Sequence, residues 1–225
     1  IWTDLLRYLD AHPTDTSSVR TVIIGGSACP LSLMKAYQER HDITVIHAWG
    51  MTEMSPLGST AVAPVGTSGD EHWSYRQTQG RIAPALEARL VGPDGAELPW
   101  DGESVGELEV RGPWITGSYY DNGSNTEVER ADAVSKFDDG WLRTGDVGSL
   151  TPNGFLRLTD RAKDVIKSGG EWISSGDLEN ALMAHPDVLE ASVIGVPDDK
   201  WGARPLATVV RTTGPASDAA GPGAV

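Results

Sequence analysis

Apolar residues in the first third of the chain follow two different periods. Within residues 1–9 they fall on one face of a helix, whereas residues 19–24 form a short β-branched run typical of a buried strand. Residues 31–39 return to a helical pattern, and residues 43–47 predict a second buried strand. Helices that alternate with buried strands are typical of α/β layering, which we therefore predict for residues 1–79.

The pattern changes at about Gly80, where strands begin to follow one another directly. Residues 106–110 alternate small or apolar residues with acidic ones, which predicts a half-exposed antiparallel strand. Apolar runs lie on both sides of residues 151–154, Thr-Pro-Asn-Gly, and this arrangement predicts a hairpin. Residues 80–162 are therefore expected to form a β-rich subdomain of the same domain.

A third pattern begins beyond the hairpin. Ser175 is a suitable cap for a helix that runs to about Ala184, and two apolar strands follow that helix. Residues 163–211 thus predict an α+β domain that is incomplete within this sequence. Residues 212–225 are rich in glycine, proline and alanine, so we expect a disordered or truncated tail there.

Composition and charge narrow the class of protein. Hydrophobic residues make up 39% of the 225 positions, and no apolar run approaches the roughly 18 residues of a membrane span, so no integral membrane segment is expected. A formal charge of -14 disfavours nucleic-acid binding, which depends on clustered Lys and Arg. Residues 157–167 carry more basic than acidic residues, unlike the chain as a whole, and such a segment is typical either of anion binding or of a solvated strand edge. A single cysteine, Cys29, and the lack of a visible secretory signal favour a cytoplasmic protein.

Two of the predicted strands end in polar loops that contain glycine. Residues 25–27 (Gly-Gly-Ser) follow the first, and residues 49–53 (Trp-Gly-Met-Thr-Glu) follow the second. Because ligands bind at the carboxyl ends of strands in open α/β sheets, we expect both loops to line one crevice. Trp49 offers an aromatic face for a base, Thr52 a hydroxyl for a phosphate oxygen and Glu53 a carboxylate for Mg²⁺. The alternative is an ordinary helix start, with Thr52 as its cap.

Two further segments suggest contacts with a nucleotide and a moving domain. Asp146 follows a glycine at the mouth of the hairpin, where its carboxylate can accept hydrogen bonds from both hydroxyls of a ribose; a turn-forming Asp is the alternative. Residues 160–164 are densely charged, and a paired-glycine loop follows them. That combination is consistent with a hinge beside a backbone surface for a thin ligand, or with a salt-bridged hairpin tip.

Taken together and in order, these segments resemble motifs of the adenylate-forming (ANL) superfamily, most closely its medium- and long-chain fatty acyl-CoA synthetases. The four matching segments are residues 25–30, 49–53, 143–146 and 160–164. The resemblance extends from about Val19 to Val210, so the chain is expected to be an internal to C-terminal portion of such an enzyme. It implies the end of a large adenylation domain, with an α/β part and a distorted β-barrel, followed by the start of a small α+β C-terminal domain.

The resemblance also implies a role for each matching residue. For ATP or AMP it implies binding by Gly25, Gly26, Ser27, Trp49, Gly50, Thr52, Asp146 and Arg161. Thr52 and Glu53 are the implied catalytic residues, and Glu53 is the implied ligand of Mg²⁺. Lys163 matches the hinge about which the C-terminal domain turns. Ser168, Gly169 and Gly170 are implied to line the tunnel for the pantetheine arm of CoA.

The reaction implied by the resemblance has two steps. A carboxylate attacks the α-phosphate of ATP to give acyl-AMP and pyrophosphate, and the thiol of CoA then displaces AMP. The family's phosphate loop and adenylation Lys are expected outside these 225 residues, so the chain alone is expected to be inactive. A noncatalytic nucleotide-binding fragment, a carrier-protein thiol as the acyl acceptor, and an aryl acid as substrate are open alternatives. So are peripheral membrane contact and a homodimer.

Overall fold

The structure is a computed structural model, and it describes residues 1–161, 165–168 and 171–212. The chain divides into two compact units, Ile1–Lys163 and Asp164–Val225. No helix in the described part of the chain is long and apolar enough to cross a membrane.

The first unit combines helices with a large sheet. Its helices are α1 (Trp2–Ala11), α2 (Leu31–His41), α3 (Gly69–Arg76) and α4 (Glu127–Ser135), with a short 3₁₀ helix at Thr52–Met54. Its first strands are β1 (Thr21–Ile24), β2 (Thr44–Gly50), β3 (Leu57–Thr60), β4 (Gly80–Ile82) and β5 (Glu87–Val91). The others are β6 (Glu97–Leu98), β7 (Gly106–Arg111), β8 (Phe137–Asp138), β9 (Trp141–Leu150) and β10 (Phe155–Arg161).

Within residues 1–161, all ten strands belong to one sheet. Its order is β1-β2-β3-β4-β10-β9-β7-β5-β6, and β8 pairs with β9 off this path. Strands β1 and β2 are parallel, whereas the other pairs in the sheet are antiparallel. The mixed α/β architecture is confirmed. The expected barrel is corrected: the strand path stays open, with β1 and β6 at its ends, so residues 80–161 extend the α/β sheet instead of closing on themselves.

The buried face of the amino-terminal helix is rotated relative to the apolar face predicted from residues 1–9. Trp2, Leu6 and Leu9 pack in or against the core around β1 and β2, while Leu5 is exposed. At 100° per residue, positions 2, 6 and 9 lie close together on a helix, and position 5 lies to one side. The hydroxyl of Tyr37 in α2 donates to the Trp2 carbonyl oxygen over 2.7 Å, which fastens α1 to α2.

The hairpin predicted at residues 151–154 is present between β9 and β10. Thr151 N donates to the Phe155 carbonyl oxygen over 3.0 Å, and Gly154 N donates to the Thr151 carbonyl oxygen over 2.8 Å. Gly154 adopts a φ of 81°, which glycine reaches without a steric penalty. The hairpin fixes β10 beside β9 and so brings Arg161 opposite Asp146 in the register.

The second unit is a small α+β domain. It contains β11 (Ile166–Ser168), β12 (Glu171–Ile173), α5 (Ser175–Met183), β13 (Val188–Asp198) and β14 (Gly202–Arg211). The strand order is β12-β11-β14-β13 within residues 165–168 and 171–212. The helix cap is one residue earlier than predicted: the hydroxyl of Ser174, not Ser175, accepts the Asp177 backbone N–H over 3.0 Å.

Gly80 gives a direct test of the close strand packing in the first unit. Gly80 has a φ of +94°, and a Cβ added there would overlap the backbone of Thr60 and Ala61. Gly95 has a similar φ of +80°, but the space around it is open. We expect Gly80→Ala to lower the free energy of unfolding by about 3 kcal/mol, because left-handed strain and overpacking add. Gly95→Ala carries only the strain and should cost about 1 kcal/mol. Denaturant unfolding followed by tryptophan fluorescence measures both, and equal losses would contradict the packing described.

Candidate active site

The first part of the site is the edge of the sheet where β1 and β2 end. These strands are parallel, with Ile24 opposite His47, so residues 25–27 emerge beside the last residues of β2. A Cβ at Gly25 would approach the carbonyl oxygen of Ala48 to 2.9 Å, and Gly26 has a φ of +84°. Residues 25–27 and the motif at residues 49–53 are therefore neighbours, as predicted, although Trp49 and Gly50 belong to β2 and not to a loop. Glycine permits both the close approach at Gly25 and the turn at Gly26.

His47, which the sequence did not single out, fastens this edge. It is buried, and its Nδ1 lies 2.9 Å from the Thr78 carbonyl oxygen while its Nε2 lies 3.4 Å from that of Ser27. Burial lowers the pKa of His47 below its usual value, so the neutral imidazole is favoured, and it donates to one of these two carbonyl oxygens. Its position two residues before the motif at residues 49–53 was the signal in the sequence for a role in the site.

Trp49 and Asp146, 97 residues apart in the sequence, meet in the core of the first unit. The indole N–H of Trp49 donates to Oδ2 of Asp146 over 2.6 Å, and 7% of Trp49 and 9% of Asp146 are exposed. A Cβ at Gly58 would run into the Trp49 ring, so β3 covers one part of the indole. The structure thus joins two motifs that the sequence could only place in order.

Glu53 lies in the 3₁₀ helix that follows β2. Met51 is the N-cap residue of this helix, with no side-chain hydrogen bond, so Thr52 is not the cap that the alternative interpretation required. The hydroxyl of Tyr119 donates to Oε1 of Glu53 over 2.6 Å. Partial desolvation and this hydrogen bond raise the pKa of Tyr119, which is 41% exposed, to about 12, so its hydroxyl stays protonated and acts as a donor.

A cavity of about 280 Å³ lies in this part of the first unit. It is lined by Met51, Glu107, Tyr119, Ser135, Lys136, Arg143, Thr144 and Gly145. Met51 belongs to the motif that contains Glu53, and residues 143–145 directly precede Asp146. The cavity therefore reaches both motifs from within the first unit.

Two glutamates of β7 hold the segment that precedes Asp146. Oε1 of Glu107 accepts the Gly145 backbone N–H over 3.2 Å. Glu109 accepts Arg89 Nε over 2.7 Å and Arg143 Nε over 3.3 Å, and only 1% of Glu109 is exposed. The prediction that β7 exposes its acidic side chains to solvent is wrong at Glu109, because two arginines compensate its charge.

Removing the charge of Glu109 tests this buried ion pair. We expect Glu109→Gln to lower the free energy of unfolding by about 2 kcal/mol, less than the roughly 3–5 kcal/mol typical of a fully buried pair, because Arg89 remains partly in contact with water. Glu97→Gln on exposed β6 is the matched control and should change stability by less than about 0.5 kcal/mol. Equal unfolding midpoints for the two variants would show that the pair contributes nothing.

The remaining residues implied by the resemblance are distributed over the two units. Arg161 ends β10, and Ser168 ends β11 in the second unit, opposite Glu171 and Gly202. Lys163, Gly169 and Gly170 lie outside the described residues. Among the residues that are described, no group of three or more His, Cys, Asp or Glu side chains is arranged to hold a metal ion alone.

Comparison with known protein families gives two matches. The model of the AMP-binding enzyme family matches residues 1–120, and that of the AMP-binding enzyme C-terminal domain matches residues 177–220.

Curated relatives match along nearly the whole chain. A 3-methylmercaptopropionyl-CoA ligase of Ruegeria lacuscaerulensis is 42% identical over 218 residues, which are 95% of this chain and 39% of the relative. A medium-chain-fatty-acid–CoA ligase of Ectopseudomonas oleovorans is 41% identical over 216 residues, which are 94% of this chain and 38% of the relative. The chain thus spans about 40% of the length of the curated relatives it matches.

Solved structures show the same architecture. The o-succinylbenzoate CoA synthetase of Bacillus subtilis, in complex with ATP and a magnesium ion, superposes with a TM-score of 0.74 at 30% identity, over 96% of this chain and 41% of that one. The amide bond synthetase McbA of Marinactinospora thermotolerans superposes with a TM-score of 0.77 at 31% identity, over 96% of this chain and 42% of that one.

Proposed function

Because the chain belongs to the AMP-binding enzyme family, we propose that the complete protein uses ATP and Mg²⁺ to activate a carboxylic acid as acyl-AMP and then transfers the acyl group to CoA. The observation that carries this proposal is the hydrogen bond between Trp49 and Asp146. It brings an aromatic side chain, suited to a base, and a carboxylate, suited to ribose hydroxyls, next to each other.

In the proposed site Asp146 binds the ribose. Oδ2 of Asp146 accepts the Trp49 indole N–H, and a carboxylate is an acceptor-only group suited to the paired hydroxyls of a ribose. The adenine would lie against the accessible part of Trp49 and beside Gly50, with the backbone of residues 25–27 close to it. Arg161, opposite Asp146 across β9 and β10, is proposed as the second ribose contact.

The donor set at Glu53 fits Mg²⁺. Glu53 is partly exposed, and no cluster of acidic or histidine ligands surrounds it in the described residues. Magnesium in nucleotide sites typically takes one or two carboxylates and completes its shell with phosphate oxygens and water. When bound, the ion would neutralise charge on the phosphates. Glu53 would hold and orient it, and the exposed hydroxyl of Thr52 would donate to the α-phosphate.

The proposed reaction needs no nucleophile from the protein. Catalysis would come from positioning the carboxylate against the α-phosphate and from compensating charge, and the thiol of CoA would carry out the second displacement. The only cysteine, Cys29, supports this view: it is buried, and burial raises the pKa of its thiol to about 11, so the reactive thiolate is disfavoured. Ser168, Gly169 and Gly170 are proposed to contact the pantetheine arm, and Lys163 is proposed as the hinge.

We propose a medium- or long-chain fatty acid as the substrate. The similarity to a medium-chain-fatty-acid–CoA ligase supports it, while similarity to 3-methylmercaptopropionyl-CoA and 2-succinylbenzoate–CoA ligases makes short thioether acids and aryl acids the competing classes. A cytoplasmic location and a homodimer are further proposals for the complete protein.

The test is acid-dependent exchange of labelled pyrophosphate into ATP by the complete protein. We expect exchange with octanoate and palmitate, and formation of acyl-CoA and AMP once CoA is added. Faster turnover of o-succinylbenzoate or 3-methylmercaptopropionate would overturn the fatty-acid assignment alone. Exchange without consumption of CoA would favour a carrier-protein thiol as the acceptor. No exchange with any acid would overturn the proposed function.

A further inference from the structure

Tyr119 lies outside every motif found in the sequence, yet it contacts the carboxylate proposed to bind the metal. Its hydroxyl donates to Oε1 of Glu53 over 2.6 Å, across 66 residues of sequence, and its side chain lines the cavity of about 280 Å³. We infer that Tyr119 is a positioning residue for the metal site: it holds Glu53 through Oε1 and thereby presents Oε2 to the cation. The inference rests on the proposed function.

The segment before Tyr119 is fastened to the short helix that carries Glu53 and to β3, the strand that follows this helix. Thr116 N donates to the Glu53 carbonyl oxygen over 2.8 Å, and the Trp114 indole N–H donates to the Leu57 carbonyl oxygen over 3.1 Å. The Tyr119 ring also packs edge-on against Phe137, with 5.7 Å between ring centroids. These contacts limit the positions that the hydroxyl can take, so the hydrogen bond to Glu53 is preorganised.

The chemistry of the pair suits a carboxylate that must also bind a cation. A neutral phenol donates a hydrogen bond without neutralising the carboxylate, as a Lys or Arg partner would. Within the described residues, Oε1 is the Glu53 carboxylate oxygen that accepts a hydrogen bond, which leaves Oε2 for the metal. A side chain fixed at one oxygen loses less rotamer entropy when the other binds, and the cation is therefore bound more tightly.

The test measures metal binding directly. The complete protein is saturated with a non-hydrolysable α,β-methylene analogue of ATP, and Mn²⁺ is titrated while its free fraction is read by electron paramagnetic resonance. We expect Tyr119→Phe to raise the Mn²⁺ dissociation constant about tenfold, since it removes one charge-assisted hydrogen bond and keeps the ring. Tyr120→Phe is the matched control: the neighbouring Tyr120 is 87% exposed, and its replacement should leave the constant unchanged.

A second readout separates positioning from folding. In the exchange assay, Tyr119→Phe should raise the Mg²⁺ concentration for half-maximal rate about tenfold, while the rate at saturating Mg²⁺ stays within about twofold of the parent. Added to Glu53→Gln, the change should have no further effect on Mn²⁺ binding, because its partner is already altered. A parent-like Mn²⁺ constant for Tyr119→Phe, together with weak binding by Glu53→Gln, would overturn only this inference. Parent-like binding by Glu53→Gln would instead overturn the proposed metal site.

Discussion

Replacing Asp146 by Asn should lower kcat/KM for ATP in the pyrophosphate-exchange reaction about a hundredfold. Each hydrogen bond from a ribose hydroxyl to an ionised carboxylate contributes about 1.5–3 kcal/mol, and two such bonds weaken when the charge is lost. The amide oxygen of Asn can still accept the Trp49 indole N–H, which lies 2.6 Å from Asp146 in the parent, so the core should stay intact. The loss should therefore fall mainly on nucleotide binding.

The matched control is Asp70→Asn. Asp70 lies in the first turn of α3, exposed, so its replacement removes the same charge away from the site. We expect its kinetics to match those of the parent, with a change in stability of less than about 0.5 kcal/mol. If Asp146→Asn also kept the parental kcat/KM for ATP, Asp146 would not bind the ribose.

Glu53→Gln should lower kcat of pyrophosphate exchange by a factor of about 10² to 10³ at saturating ATP. Such losses are typical when a group that stabilises developing charge is removed from an active site, and the amide binds Mg²⁺ more weakly than the carboxylate does. Part of the loss should be recovered at high Mg²⁺ concentration, which a folding defect would not allow. Rates are measured as a function of Mg²⁺ concentration at fixed acid and ATP.

Glu71→Gln, which removes an exposed carboxylate from the first turn of α3, is the control for this charge change and should behave like the parent. A Glu53→Gln enzyme with a parental kcat and a parental Mg²⁺ dependence would exclude Glu53 as the metal ligand.

Local signals in the sequence predicted the elements that depend on local geometry. The Thr-Pro-Asn-Gly turn specified the β9–β10 hairpin, and the β-branched runs specified the strands β1 and β2. The predicted burial of β1 is wrong, because β1 lies at one end of the strand path and 59% of Ile23 is exposed. The order of strands in the large sheet was not accessible in the same way. It depends on pairings between distant segments, such as β4 with β10, for which hydrophobic alternation carries no signal.

In the candidate site too, local features were predictable from the sequence, whereas contacts between distant segments were not. The motifs at residues 49–53 and 143–146 were visible as residue types in a chemically meaningful order, but their contacts were not. The sequence suggested Trp49 as an aromatic face for a base, whereas the structure adds its N–H as a donor to Asp146. Tyr119 gave no signal at all, since a tyrosine in a loop has many ordinary roles. The burial of Glu109 was hidden because an acidic residue in an alternating strand is normally solvated.

A crystal structure of the complete protein with AMP tests most directly whether these residues form a nucleotide site. We expect the ribose hydroxyls within hydrogen-bond distance of the Asp146 carboxylate, and the adenine against Trp49 and the backbone of residues 25–27. AMP bound with its ribose away from Asp146, or at a site that contacts neither Trp49 nor residues 25–27, would contradict the assignment.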